Sequence, residues 1–179
     1  AVDSNATFYD NLPVPETDRI GEEGKGFYYL IDGINPERIL VAAEAVGLGR
    51  AALRKAVDYA KERVVFDRPI GQNQAIQHPL AAAWAHLEAA DAVVWKAAAL
   101  YDAGKPCGAE ANAAKYLAAE ACFTACETAV MTHGGMGYAK EFHVERYMRE
   151  AFIARIAPVS REMILNFIGQ HVLDMPRSY

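Results

Sequence analysis

The sequence lacks the apolar stretch that a membrane-spanning helix needs. No apolar run approaches the roughly 20 residues that cross a bilayer, so no membrane span is predicted. Cysteine is also scarce, with three residues in 179, and that small odd number is typical of a reducing compartment. We therefore expect a cytoplasmic protein without a disulfide framework.

An excess of basic charge is missing as well. The net charge is −5, and the 18 basic and 23 acidic residues are interspersed, which argues against nucleic acid or an anionic membrane as the main partner.

No H-E-x-x-H, Cys-x-x-Cys, P-loop or G-x-S-x-G motif is present, so neither a metal site nor a nucleophile is predicted. Cys122 and Cys126 lie one helical turn apart. Without further ligands at suitable spacing, two core thiols are favoured over a redox or metal pair.

The residues present are those of long amphipathic helices. Asn35 has the side-chain oxygen of an N-cap, Pro36 suits the first helical position, and Glu37 would then lie in the first turn. A helix is predicted from residue 36 to residue 63. Its inner face carries small and apolar residues at helical spacing: Ile39, Ala42, Val46, Gly49, Leu53, Ala56 and Ala60.

Further helices are predicted on both sides of this one. A short helix at 27–31 would follow the glycine-rich turn at 21–26, which is interpreted as a hinge rather than a phosphate cradle. Later helices are expected at about 73–103, 109–132, 143–156 and 161–173, joined by short Gly- and Pro-marked connections without interior strands. Ile76, Leu80, Ala83, Leu87, Ala90 and Val94 would form the inner face of the 73–103 helix. The pattern indicates an all-α fold, an antiparallel four-helix bundle.

The first twenty residues have a different character. Residues 6–15 combine β-favouring and turn residues, as in the end of a strand and an exit loop. A lone strand needs a partner for its backbone groups, and the chain starts at Ala1 without an initiator Met. We therefore expect residues 1–20 to be a short β remnant of a preceding β-domain, and residues 21–179 to be the helical-bundle domain.

Short runs of sequence carry a family resemblance along essentially the whole chain. They read Phe-Tyr-Asp-Asn-Leu-Pro-Val-Pro at 8–15, Gly-Lys-Gly-Phe at 24–27, Asn-Pro-Glu-Arg at 35–38, Tyr-Ala-Lys-Glu-Arg-Val-Val-Phe at 59–66, Gln-Asn-Gln-Ala-Ile-Gln at 72–77, His-Gly-Gly-Met-Gly-Tyr at 133–138 and Arg-Tyr-Met-Arg-Glu-Ala at 146–151. Each run is unspecific alone. Together and in order they resemble the C-terminal domain of the acyl-CoA dehydrogenases.

The resemblance implies a three-domain enzyme whose helical N-terminal domain and middle β-domain are mostly absent from these residues. Such enzymes bind FAD and oxidise acyl-CoA to trans-2-enoyl-CoA in fatty acid metabolism. A glutamate takes the α-proton, and the β-hydrogen leaves as hydride to the flavin. The implied partners are the acyl-CoA substrate, an electron-transfer flavoprotein or similar acceptor, and further copies of the chain in a homodimer or homotetramer. Two alternatives stay open: other flavin chemistry, and a non-catalytic subunit that mediates oligomer contacts.

The resemblance offers two places for the catalytic base. Most members carry the base in a Tyr-Glu-Gly-Thr segment, and here Pro158 stands at that place. A minority, resembling isovaleryl- and long-chain acyl-CoA dehydrogenases, has the base just before an arginine near the start of the long helix. Glu37 stands at that place and is the candidate base, with Glu162 as the rival. The alternative for Glu37 is an ordinary acidic residue at a helix start.

Binding residues are also implied by the resemblance. Arg38 corresponds to the arginine that holds the CoA part of the substrate, although a salt-bridging surface arginine is the alternative. The candidate FAD-binding residues, several of them serving a neighbouring subunit, are Arg63, Phe66, Gln74, Gly134, Gly135 and Ser160. A plain helix C-cap is the alternative for the two glycines. The sequence departs from the family at two of these places, where Met131 replaces a frequent glutamine and Asp67 a frequent glycine.

Overall fold

The structure, a computed structural model, describes residues 5–178. Five α-helices and one small hairpin make up most of this range: α1 (Gly26–Glu62), β1 (Val64–Val65), β2 (Arg68–Pro69), α2 (Gln74–Asp102), α3 (Gly108–His133), α4 (Val144–Ile156) and α5 (Arg161–His171). Single turns of 3₁₀-helix occupy Glu16–Asp18, Ile70–Gln72, Gly134–Tyr138 and Lys140–Phe142. The helix bounds predicted for α2 to α5 are confirmed to within two residues.

The first four helices form the predicted antiparallel bundle. The guanidinium of Arg50 on α1 bonds Glu88 at 2.7 Å and Asp91 at 2.9 Å, which joins α1 to the antiparallel α2. α1 and α3 run parallel and pack against each other, with α2 and α4 each packed on both of them. Near the carboxyl ends of α1 and α3, the rings of Tyr59 and His133 stack with centroids 4.3 Å apart.

Small side chains line the centre of the bundle and let the helices approach closely. All residues predicted for the inner face of α1 are buried, and those predicted for α2 are buried except Ile76, which is partly buried. At Gly49, an added Cβ would lie 2.7 Å from Leu87 Cδ2 and 3.2 Å from the Cα of Cys122. Glycine at this position therefore sets the spacing of α1, α2 and α3.

Two glycines of α1 give a matched test of this packing. Gly49→Ala should lower the free energy of unfolding by about 1–3 kcal/mol, because the new methyl group overpacks the contact with Leu87 and Cys122. Gly47 is exposed, and a Cβ added there would have no neighbour within 4 Å, so Gly47→Ala should raise it by about 0.5–1 kcal/mol. Urea unfolding measures both, and shifts of the same sign would contradict this account of the interface.

The predicted start of the long helix is wrong. α1 begins at Gly26, so the short helix expected at 27–31 forms its first turns and Pro36 lies inside it. The side-chain oxygen of Asn35 accepts a hydrogen bond from Arg38 at 3.0 Å and does not cap the helix, and Glu37 is no longer a first-turn residue. The fixed φ of proline is compatible with a helix, and its missing N–H removes only one bond of the ladder, so the helix passes through.

The connection after α1 also differs from the prediction, because it contains a short antiparallel ladder. Val64 pairs with Pro69 and Val65 with Arg68. The two residues between them, Phe66 and Asp67, have φ of 53° and 63°, the left-handed conformation of a tight two-residue hairpin turn. The sequence lacks the Asn-Gly or Asp-Gly pair that usually signals such a turn, and strands this short carry no alternation.

Residues 5–25 contain no strand, and their side chains are exposed. The predicted β remnant at 1–20 begins in residues 1–4, which lie outside the described part of the chain, and it stays a prediction. Between residues 5 and 178, none of the helices combines the length and the apolar character that crossing a membrane requires.

Candidate functional site

The candidate residues lie at opposite ends of the bundle. Glu37 and Arg38 belong to the amino-terminal half of α1, and Ser160 lies just before α5 at the same end. Arg63 follows the carboxyl end of α1, so at about 1.5 Å per residue it is roughly 39 Å from Glu37 along the helix. The other predicted FAD-binding residues share the end of Arg63: Phe66, Gln74, Gly134 and Gly135.

Glu37 and Arg38 point in different directions despite being neighbours. The side chain of Glu37 is exposed and makes no hydrogen bond within the described part of the chain, whereas Arg38 is only 7% exposed. Burial lowers the pKa of Arg38, and the nearby Glu37 carboxylate partly offsets this. The Nε of Arg38 is buried without a hydrogen-bond partner among the described residues. Glu37 is thus free to face a ligand, and Arg38 brings positive charge to the adjoining interior.

A buried lysine close to Arg38 was missed by the sequence reasoning. Lys115 on α3 is 1% exposed, and its Nζ donates to the carbonyl oxygen of Val159 at 2.7 Å. Burial and then the charge of Arg38 lower the pKa of Lys115 from 10.5 to about 8. The available signal was its position between Ala111 and Ala118 on the alanine-rich inner face of α3.

Residues 157–160 join α4 to α5 and form the α4–α5 link. The Oγ of Ser160 accepts a hydrogen bond from the backbone N–H of Met163 at 3.4 Å and so caps α5. Glu162, the rival base, is exposed and pairs with Arg161 at 2.9 Å. Pro158, at the place of the usual base, is part of the link.

Three of the candidate residues at the opposite end lie in the hairpin or close to it in the chain: Arg63, Phe66 and Gln74. Phe66, at the tip of the hairpin, is 93% exposed, and Arg63 and Gln74 are also exposed. Asp67 adopts the left-handed conformation that its short polar side chain tolerates, so glycine is not required there. An open groove of about 440 Å³ lies between α1, the hairpin and α2, lined by Val57, Ala60, Lys61, Pro69, Gly71, Gln72, Gln77 and Leu80.

The glycine turn after α3 completes this end. Gly134 has φ 59° and ψ −134°, a conformation that only glycine adopts readily. Gly134 and Gly135 are exposed, and a Cβ at either position would have no other atom within 4 Å. His133 is held just before them, because its Nδ1 lies 2.8 Å from the carbonyl oxygen of Ala129 and its ring stacks on Tyr59. The backbone of the turn is therefore both fixed and open to a ligand.

None of the three cysteines belongs to the candidate sites at the two ends of the bundle. All three thiols are free and buried, which confirms the prediction of core thiols for Cys122 and Cys126. Hydrogen bonding to Cys122 and then burial raise the pKa of Cys126, and burial raises that of Cys107, so neither is an activated nucleophile. Among residues 5–178, no group of His, Cys, Asp and Glu side chains could hold a metal ion.

Comparisons with known proteins show consistent similarity to one family. The family model described as "Acyl-CoA dehydrogenase, C-terminal domain" matches residues 24–173. "Acyl-CoA dehydrogenase fadE12" of Mycobacterium bovis is 49% identical over 174 residues, which are 96% of this chain and 45% of that protein. The "Caffeyl-CoA reductase-Etf complex subunit CarC" of Acetobacterium woodii is 40% identical over 82% of this chain and 39% of that protein.

A solved structure gives the same result for the fold. Butyryl-CoA dehydrogenase from Megasphaera elsdenii superimposes with a TM-score of 0.87 and 39% identity, over 89% of this chain and 42% of that one. This chain therefore spans less than half the length of the relatives it matches.

Proposed function

Because the chain belongs to the acyl-CoA dehydrogenase family, we propose that it is the C-terminal domain of an FAD-dependent oxidoreductase that converts acyl-CoA thioesters to trans-2-enoyl-CoA. The observation that carries this proposal is the match to the family's C-terminal domain over residues 24–173. The 49% identity to a protein named as an acyl-CoA dehydrogenase supports the same reaction class.

The end of the bundle that carries Arg63 and the glycine turn fits FAD. Arg63 offers an exposed guanidinium, whose planar fork suits pyrophosphate oxygens, and Phe66 offers an exposed ring. The bare backbone at Gly134 and Gly135 lets a flat ligand approach, and Gln74 adds an amide at the first residue of α2. At the other end, Ser160 is the remaining candidate flavin contact. Bound FAD supplies the acceptor for the hydride that leaves the β-carbon of the substrate.

Glu37 has the role of general base in this proposal. A thioester α-proton is only weakly acidic, so the base must act in a site from which water is excluded and where the developing enolate charge meets hydrogen-bond donors. Glu37 is exposed on this domain, which means that substrate and the remaining domains of the enzyme would have to cover it. Arg38 supplies positive charge one residue away, in keeping with a role in holding the CoA part of the substrate.

The end of the bundle that carries Arg63 also exposes apolar side chains, as a surface between subunits does. Phe66, Tyr138 and Met131 are 93%, 90% and 74% exposed, and large exposed apolar side chains mark interaction sites. We infer a homodimer or homotetramer in which this end serves the cofactor of a neighbouring subunit. Light scattering of the complete protein tests the assembly, and a monomer would exclude it.

One relative is named as part of an Etf complex, which supports an electron-transfer flavoprotein or similar protein as electron acceptor.

The complete protein tests the reaction directly. Purified enzyme should reduce an electron-accepting dye when supplied with an acyl-CoA, and enoyl-CoA should accumulate in equal amount. A series of straight, branched and aryl acyl-CoA thioesters identifies the substrate. If the protein binds flavin but turns over none of them, the second candidate, other flavin chemistry, would be favoured. The loss of the usual base at Pro158 supports that candidate.

The open glycine turn gives a prediction for the cofactor. Gly135→Ala should weaken FAD binding by about ten-fold or more, because a methyl group would stand where the backbone meets the ligand. Its free energy of unfolding without FAD should change little, since the added Cβ has no neighbour within 4 Å. Fluorescence titration of the apoprotein with FAD measures the first effect and urea unfolding the second. Unchanged affinity would exclude this turn from the cofactor site.

A further inference from the structure

Lys115 makes one strong contact, and that contact is with the backbone of the α4–α5 link. Its Nζ donates to the carbonyl oxygen of Val159 at 2.7 Å, from a side chain that is 1% exposed. Burying an ammonium group is costly unless it is well bonded. A side chain that served only to fill this part of the core would be apolar, as its neighbours Ala114 and Ala118 are.

The same helix holds the link on both sides. Glu120 on α3 binds Arg155, near the end of α4, at 2.6 Å and Arg161, the first residue of α5, at 3.3 Å. The contact of Lys115 with Val159 falls between these two ion pairs. α3 therefore fixes the link before, within and after its turn.

Lys115 connects the link to the neighbourhood of Arg38, one of the residues proposed to act in the reaction. Arg38 is close enough to Lys115 for its charge to affect the lysine, so two cations share this end of the interior. Ser160 follows Val159 directly and caps α5. A displacement of the Val159 carbonyl would thus shift the cap of α5 and remove the partner of the lysine on which the charge of Arg38 acts.

We propose that Lys115 is a positioning residue, which holds the α4–α5 link through the Val159 carbonyl and thereby sets the placement of Ser160 relative to Arg38 and Glu37. The role in catalysis rests on the function proposed above. The contact itself is independent of that function, so the experiment below uses local structure as its first readout and turnover as its second.

The charge state of Lys115 gives the contact a pH dependence of defined sign. Burial and Arg38 on α1 lower the pKa of Lys115 to about 8, while Glu120 on α3 and Glu162 on α5 act in the opposite direction. When the link opens and Lys115 meets water, its pKa returns toward 10.5. The open form then binds the proton more tightly, so the closed link should become more favoured as pH rises from about 8 to about 10.5.

Amide hydrogen exchange of the complete protein tests the proposal. The reporters are two amides in the first turn of α5: the N–H of Met163 donates to the side chain of Ser160, and the N–H of Ile164 donates to its carbonyl oxygen. At about pH 10, where the buried amine is neutral and still donates to the Val159 carbonyl, these amides should exchange about ten-fold faster in Lys115→Met than in the wild type, because that hydrogen bond is gone. Global thermal stability should not fall, since methionine fills the site and removes a desolvated charge. Lys55→Met, at an exposed lysine of α1, is the matched control and should leave both readouts unchanged.

The wild type provides a second measurement that needs no variant. After correction for intrinsic exchange, protection of the same amides should increase between about pH 8 and 10.5, and Lys115→Met should lack this increase. Wild-type protection without the increase, or unchanged exchange in Lys115→Met, would overturn the proposal. Unfolding of Lys115→Met would leave the wild-type profile to decide it.

Turnover separates this proposal from the proposed function. In the active enzyme, Lys115→Met should lower kcat/KM for acyl-CoA about ten-fold, and Lys55→Met should not. An enzyme that oxidises no acyl-CoA would refute the function while the exchange data still decide the role of Lys115. Faster exchange with unchanged kcat/KM would limit Lys115 to the fold and overturn its positioning role.

Discussion

Leu87→Ala should lower the free energy of unfolding by about 3–5 kcal/mol, the largest loss of stability expected from a single truncation in this bundle. Leu87 is fully buried on α2, and its side chain reaches the contact between α1 and α3 at Gly49. The surrounding side chains are mostly alanines, which cannot extend to fill a cavity. Urea unfolding measures the loss. Leu117→Ala, at a leucine of α3 that is 41% exposed, is the control and should cost about 1 kcal/mol.

The same contact should make two substitutions non-additive. An added methyl group at Gly49 meets Leu87 Cδ2 first, at 2.7 Å, so Leu87→Ala removes the main obstacle to Gly49→Ala. In the double variant, Gly49→Ala should cost at least about 1 kcal/mol less than it does alone. Strict additivity would mean that the backbone at Cys122, 3.2 Å away, is the real limit to the spacing of the helices.

Helical periodicity predicted the core well because burial on a helix follows directly from spacing. Leu53 on α1 and Leu87 on α2 were placed on inner faces by period alone, and both are buried. The start of α1 was not predictable in the same way. Asn35 and Pro36 form a good local start signal, but a helix-compatible segment precedes them and the helix continues through. A cap signal gives a local preference, and the neighbouring turns decide whether it is used.

The candidate site was only partly accessible from the sequence. Resemblance supplied residues such as Glu37 and Arg63, and the length of α1 already implies that these two stand far apart. The hairpin that exposes Phe66 carries no recognisable strand pattern, so its shape had to come from the structure. Lys115 was overlooked because its partner is a backbone carbonyl, which leaves no trace in the side-chain pattern.

The structure changes the physical argument for Glu37. As a residue well inside α1, Glu37 receives no support from the partial positive charge at a helix start. Its carboxylate is exposed and makes no side-chain hydrogen bond in the described part of the chain, and its charge acts on the neighbouring guanidinium of Arg38. A base in this state is available to substrate, and its reactivity depends on how completely the bound thioester and the other domains exclude water.

Glu37→Gln should therefore lower kcat of the complete enzyme by about 10²–10⁴-fold, the usual effect of losing a general base. Glutamine keeps the size and the helix but cannot accept the α-proton. Flavin content and stability should stay unchanged, because the side chain of Glu37 makes no hydrogen bond within residues 5–178. Stopped-flow reduction of the flavin by acyl-CoA isolates the proton-transfer step, and absorbance gives the flavin content.

Two control variants decide how the result is interpreted. Glu44→Gln, at another exposed glutamate of α1, should retain normal turnover. Glu162→Gln should have a small effect, because that carboxylate is exposed and already paired with Arg161. If Glu162→Gln abolished turnover and Glu37→Gln did not, the base would lie on α5, beside the link that carries Pro158. If neither variant lost activity, proton abstraction would have to come from a residue outside this domain.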